Sequence, residues 1–184
     1  YVSRGGVKLA AALDSFSLDV AGRVCLDVGS STGGFTEVLL ARGARHVFAV
    51  DVGRNQLHAR LRNNQQVTSI EQTDIRSLDP SRLSEPPDFA AIDVSFISLE
   101  LVLPHVSGLL KPTATLLALI KPQFEAGRRH IKKGIARDAA VQAATCGNIA
   151  GVLADLSWDV GRCIPSPILG GDGNREFIIE AQRG

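Results

Sequence analysis

Short, continuously apolar runs alternate with helix-patterned segments along nearly the whole chain, and this alternation constrains the fold more than any other feature. Helical character over 6–17 precedes apolar runs at 23–28, 46–52, 67–72, 88–94, 114–120, 158–164 and 175–181. Between them lie helical stretches at 34–43 and 55–62, one carrying Leu99, Val102, Leu103, Val106 and Leu110 on a single side, and one at 138–156. Strands that are apolar throughout, rather than alternating, are buried on both faces, so the pattern implies a parallel sheet with helices on either side. The last two runs are separated only by "PSPILGGDGN", too short and polar for a helical crossover, and should pair antiparallel at the sheet edge. The whole of 1–184 reads as one α/β domain.

The first strand runs into a glycine-rich turn, "LDVGSSTGGFT" at 26–36, and three ligands compete for it. A phosphate loop, G-x-x-x-x-G-K-[ST], would match Gly29, Gly34 and Thr36, but its lysine position is Phe35. A dinucleotide turn, G-x-G-x-x-G, fails because Ser31 stands at its second glycine. The third pattern is D-x-G-x-x-x-G, spelled by Asp27, Gly29 and Gly33, with Gly34 and Phe35 opening the next helix. It suits a ligand with a cationic amino-acid end and no phosphate, which is S-adenosylmethionine. Asp51, ending the second strand, stands where doubly wound folds hold ribose hydroxyls. Asp74, after the third strand, is placed to meet the adenine or to cap the next helix.

Asp93 in "AIDVSF" and Lys121 in "LIKPQF" follow two neighbouring strands and so fall beside the same crevice. Methylating a ribose hydroxyl requires removal of its proton, and a partly desolvated lysine can be neutral enough to take it. The four histidines and three scattered cysteines show no metal-ligand spacing, and no metal is expected. Unpaired cysteines fit a reducing cytoplasm. No apolar run approaches the roughly 18 residues that span a bilayer. The net charge of +1 means that any anionic partner must be met by a local patch. One such patch is "GRRHIKKG", with Arg128, Arg129, Lys132 and Lys133; Arg4 is a further candidate for phosphate contact.

Taken together, "YVSRGGVKL", "CLDVGSSTGGFT", "AVDVG", "IDVSFIS", "IKPQFEAG" and "SPILGGDGNREF" resemble the TlyA family of FtsJ-like RNA methyltransferases, often labelled hemolysin A. The resemblance implies a Rossmann-like class I fold, with a seven-stranded, mostly parallel sheet and an antiparallel strand in an edge hairpin. It also implies S-adenosylmethionine as cofactor and a Lys-Asp-Lys-Glu tetrad, falling on Lys8, Asp93, Lys121 and Glu176. Lys121 would activate the ribose 2′-hydroxyl, with the other three tuning it. Ribosomal RNA, through a cytidine ribose, is the implied substrate. An S4-like RNA-binding module would precede Tyr1, in keeping with the absence of methionine. Two departures stand out. Arg54-Asn55 replaces the family's usual Tyr-Gly after "AVDVG", and the run after "KPQFEAG" is shortened to "KKGIARD". A membrane-active cytolysin and a binding-only protein are the rival readings; neither a spanning segment nor an incomplete tetrad supports them.

Overall fold

The computed structural model describes residues 1–127, 131–132 and 135–184. Its main sheet has seven strands, in the order β3 (Val67–Ile70), β2 (His46–Val50), β1 (Val24–Val28), β4 (Phe89–Ile92), β5 (Ala114–Ile120), β9 (Phe177–Arg183) and β8 (Asp159–Pro165). β1, β2, β3, β4 and β5 run parallel. The chain builds outward from β1 through β2 to β3, then returns to lay β4 and β5 on the other side. Where that direction reverses, between β1 and β4, the crossovers diverge and leave a crevice at the carboxyl ends of the strands.

Side-chain alternation divides the core into two layers. Val24, Leu26 and Val28 of β1 face a cluster built with α4 (Leu99–Leu109) and α6 (Ala139–Asp155), through residues such as Val102, Leu103, Ile149 and Leu153. Cys25 faces the opposite cluster, which takes Leu9 and Leu13 from α1 (Gly5–Ser15) and Val38 and Leu39 from α2 (Gly34–Ala41). Every residue of β1, β4 and β5 is buried, as the unbroken apolar runs required.

The antiparallel hairpin expected at the sheet edge is present: β9 pairs antiparallel with both β5 and β8, and β8 forms the edge. The reason is compositional. Ile178, Ile179 and Ala181 fill both core layers, whereas β8 is largely exposed and ends in a proline that cannot donate to a further strand. The helix expected over 55–62 shrinks to α3 (Ala59–Arg62), because the chain bends at Asn55, with φ 53°, and His58 caps the single turn through Nδ1. After β5 come the short α5 (Pro122–Glu125) and a two-stranded hairpin of β6 (Ile131–Lys132) and β7 (Ile135–Ala136), neither of which has a readable hydrophobic period. β2 and β4 stop at Val50 and Ile92, so Asp51 and Asp93 stand just beyond the ladder, in loops.

Candidate functional site

The crevice is a cleft of about 850 Å³, within the range of small-molecule sites, and Gly29, Ser31, Asp51, Asp74, Asp93 and Ser95 are among the residues on its walls. Its floor depends on Gly29, at φ 82°, where a Cβ would stand 2.0 Å from the carbonyl oxygen of Asp93. Only a glycine lets the turn after β1 pass this close to the end of β4. Gly29 and Ser30 donate their backbone N–H groups to Val50 O at 2.8 and 3.1 Å. Asp51 completes the frame by accepting from Ser31 N at 3.0 Å and Gly53 N at 2.8 Å. Each of its oxygens retains a second lone pair at the cleft wall.

The other residues of the turn stand elsewhere. Asp27 is fully buried behind the turn, on the α2 side, where Thr36 Oγ1 donates to its Oδ2 at 2.7 Å. Burial pushes its carboxyl up to about 7, against the smaller opposing effect of that hydrogen bond. Phe35 belongs to the core against Leu9 and Leu117, and Gly33 is pressed against the side chains of Leu57 and Leu61. Gly34 abuts Ser3 and the backbone of Gly6. Asp27, Gly33, Gly34 and Phe35 thus shape and support the turn without lining the cleft. Asp74 does reach the cleft rim, but its carboxylate caps Ile75–Ser77 through Arg76 N and pairs with Arg76 Nη2 at 2.7 Å, which holds its carboxyl below the usual range.

Beside the cleft, the four residues of the expected tetrad form two ion pairs. Lys121, directly after β5, sets Nζ 2.5 Å from Asp93 Oδ1 and donates to Ser95 Oγ at 3.0 Å. Lys8, on the inward face of α1, sets Nζ 2.6 Å from Glu176 Oε1. Lys8, Lys121 and Glu176 are all buried. The pairing of β5 with β9 brings the two pairs together. Ile120 stands opposite Phe177, and continuing that antiparallel register places Glu176 opposite Lys121. Glu176 is held from behind by Gly170, where a Cβ would stand 1.9 Å from Oε2. Paired charges taken out of water contribute little to stability and commonly mark a site where function requires them.

Sequence reasoning missed three neighbours of this site. Ser95 is the hydrogen-bond partner of Lys121. Phe96, at φ 63° and 89% exposed, packs at a tilt against Phe124 with ring centroids 4.8 Å apart at the mouth of the cleft. A bulky side chain at positive φ is a costly conformation that persists only where its surroundings impose it. Glu125 imposes it in part, accepting from Ser98 Oγ at 2.6 Å and Leu99 N at 2.8 Å and so tying the loop after β4 to α5. Burial raises the carboxyl of Glu125. All three lie inside "IDVSFIS" and "IKPQFEAG", two of the segments that carry the family resemblance, but no hydrophobic period singles them out.

Of the basic residues singled out, Arg4 is exposed and donates through Nη2 to Leu169 O at 2.5 Å. Arg128, Arg129 and Lys133 lie outside the described residues, as does the side chain of Lys132. Among the described residues, no group of three or more His, Cys, Asp or Glu side chains could hold a metal ion, and no helix is long and apolar enough to cross a membrane.

Known proteins share both the sequence and the architecture. The chain is 47% identical over 181 residues to YqxC of Bacillus subtilis (strain 168), covering 97% of this chain and 64% of that protein. It is 43% identical over 180 residues to the 16S/23S rRNA (cytidine-2′-O)-methyltransferase TlyA of Mycobacterium tuberculosis, covering 97% of this chain and 67% of the relative. These relatives are therefore about half as long again as the region they share with it. The crystal structure of a Lactococcus lactis protein described as a hemolysin superposes with a TM-score of 0.97 at 45% identity, over 100% of this chain and 89% of that one. The profile of the FtsJ-like methyltransferases matches residues 1–183, and the chain belongs to that family.

Proposed function

We propose that this chain is the catalytic domain of an S-adenosylmethionine-dependent methyltransferase acting on ribose 2′-hydroxyls of ribosomal RNA. The observation that carries this reading is the convergence of two lysine–carboxylate pairs, the buried Lys8–Glu176 and the pair of buried Lys121 with half-buried Asp93, at the edge of a cofactor-sized cleft. The rRNA 2′-O-methyltransferase activity named for the Mycobacterium tuberculosis relative supports it.

The cleft fits the cofactor by its own chemistry. Its turn is left bare at Gly29, Asp51 keeps acceptor capacity for ribose hydroxyls, and the position that would grip a phosphate is Phe35, packed into the core. Bound there, S-adenosylmethionine supplies a methyl group on a sulfonium. Gly29, Ser31 and Asp51 would hold it, with Asp74 at the rim. Lys121 Nζ is the group placed to activate the 2′-hydroxyl as its proton leaves. Asp93 and Ser95 aim that nitrogen. Glu176 fixes Lys8 on the other side of the hydroxyl, where its ammonium balances the oxyanion as the proton leaves.

The extra length of the relatives supports a second element of the proposal, a separate RNA-binding module outside this region. The same reading implies a cytoplasmic enzyme, because ribosomes are its substrate.

The test is transfer of labelled methyl from S-adenosylmethionine to ribosomal subunits that lack the modification, using the full natural protein and its Lys121→Ala variant. Label on a ribose 2′-oxygen, reduced about 100-fold or more in the variant, is expected. Label on a base, or equal transfer by the variant, would refute the assignment.

A further inference from the structure

The segment joining β8 to β9 does more than deliver Glu176. With β7 and the start of α6 it encloses a surface groove of about 380 Å³, whose walls include Arg137, Gln142, Leu169, Asp172 and Arg175. Arg4 reaches the same rim by donating to Leu169 O. Arg4, Arg137 and Arg175 are all exposed, and none takes part in an ion pair among the described residues. The acid beside Arg137 is turned away, since Asp138 caps α6 by accepting from Ala140 N at 2.8 Å. Among the described residues, Asp172 is the single acid that lines the groove.

The walls are built, not merely adjacent. Asn174, 2% exposed, accepts from Ala136 N at 3.1 Å and donates to Gly171 O at 2.9 Å, which joins β7 to the turn before Arg175. Gln142 Nε2 donates to Ala136 O at 2.9 Å and fixes α6 to the same strand. Arginine forks held on such a frame match the oxygens of a phosphodiester. The groove also adjoins the tetrad along two separate segments, because Arg175 precedes Glu176 and Arg4 lies one helical turn before Lys8.

We propose that this groove holds the phosphodiester backbone of the substrate RNA immediately beside the ribose being methylated. The inference rests on the function proposed above and adds Arg137 and Arg175 to its substrate contacts. Among the described residues no aromatic ring lines the groove, which fits a grip on backbone that leaves the bases unread.

The experiment compares the full natural protein with its Arg137→Ala, Arg175→Ala and double variants, and with Arg45→Ala as a control whose side chain pairs with Glu85. Deproteinised ribosomal RNA and intact subunits, both unmodified, serve as probes. Binding to the RNA is followed against salt concentration, and methyl transfer is resolved into kcat and KM. The double variant should bind RNA about tenfold more weakly near 0.1 M salt, and its log–log salt slope should shrink by about one per arginine removed. KM for RNA should rise while kcat, cofactor affinity and melting temperature stay as in the unaltered protein. An unchanged slope and KM in the double variant would overturn the proposal. A rise in KM on subunits alone, with naked RNA bound as before, would also overturn it and assign the groove to an acidic ribosomal protein. Failure of the unaltered protein to methylate any ribosomal RNA would instead count against the proposed function, and the salt slope would still report on the groove.

Discussion

Asp27 gives this protein a pH dependence of stability that a single substitution should remove. Its side chain is fully buried, Oδ2 accepts from Thr36 and Oδ1 has no partner. Burial, helped by the carboxylates of Asp93 and Asp51, raises it from 3.8 to about 7. A difference of roughly three pH units corresponds to about 4 kcal/mol. In the unfolded chain the group loses its proton near pH 4, whereas the folded protein keeps it until about pH 7. The folded state therefore binds more protons between those values, and stability declines as pH rises through that window, then levels off. His46 acts in the opposite sense, since burial lowers its pKa, but it does so in both proteins and cancels from their difference. Asp27→Asn cannot ionise and can still accept from Thr36. Its new amide N–H₂ lacks a partner, at a pH-independent cost of about 1–3 kcal/mol. Urea unfolding of both proteins at intervals from pH 5 to 8 measures the effect. The stability of the variant relative to the unaltered protein should improve by about 2–3 kcal/mol across that range. A difference that stays constant with pH would refute the reasoning, because Asp27 would then ionise alike in both states.

Gly29→Ala forces a Cβ to 2.0 Å from Asp93 O at a positive φ, and should cost roughly 2–4 kcal/mol and weaken cofactor binding at least tenfold by calorimetry. Affinity like that of the unaltered protein would mean the turn does not frame the site. Glu176→Leu leaves the buried Lys8 ammonium alone and should lower stability by about 3–5 kcal/mol in thermal unfolding. Adding Lys8→Met should restore most of that stability without restoring methyl transfer; joint recovery of both would remove the pair from catalysis. Glu125→Ala deprives Ser98 and Leu99 of their acceptor, so the Leu99 amide should exchange its hydrogen markedly faster than in the unaltered protein. Undiminished protection would show that Glu125 does not brace the loop that carries Ser95 and Phe96.

Much of the fold was legible because its signals are local. The apolar runs at β1, β4 and β5 announce strands buried on both faces, and the helix faces of α4 and α6 repeat at the right period. The turn after β1 was legible as well, since Phe35 at the lysine position and Ser31 at the second glycine position spoke against phosphate-gripping ligands from local spacing alone. Elements without a period were not legible. α5 and the β6–β7 pair are each only a few residues long, and α3 depends on Leu57 and Leu61 packing under Gly33, not on its own propensity.

What the sequence by itself determined is the class of sheet and the glycine-rich form of the turn after its first strand; through resemblance it also singled out Lys8, Asp93, Lys121 and Glu176 as the expected tetrad. What only the tertiary structure decided is which of the marked residues face the cleft. Asp27 and Asp51 read alike as acids on successive strands, yet Asp27 is sealed behind α2 while Asp51 stands past the end of β2. Lys8 and Glu176, 168 positions apart, are linked in the sequence only by the family resemblance; the β5–β9 register and the seating of α1 bring them within 2.6 Å. The physical reason is the same in each case. Period and propensity act over a few residues, whereas the meeting of two side chains from distant segments depends on strand order and register, which only the packing of the whole sheet resolves.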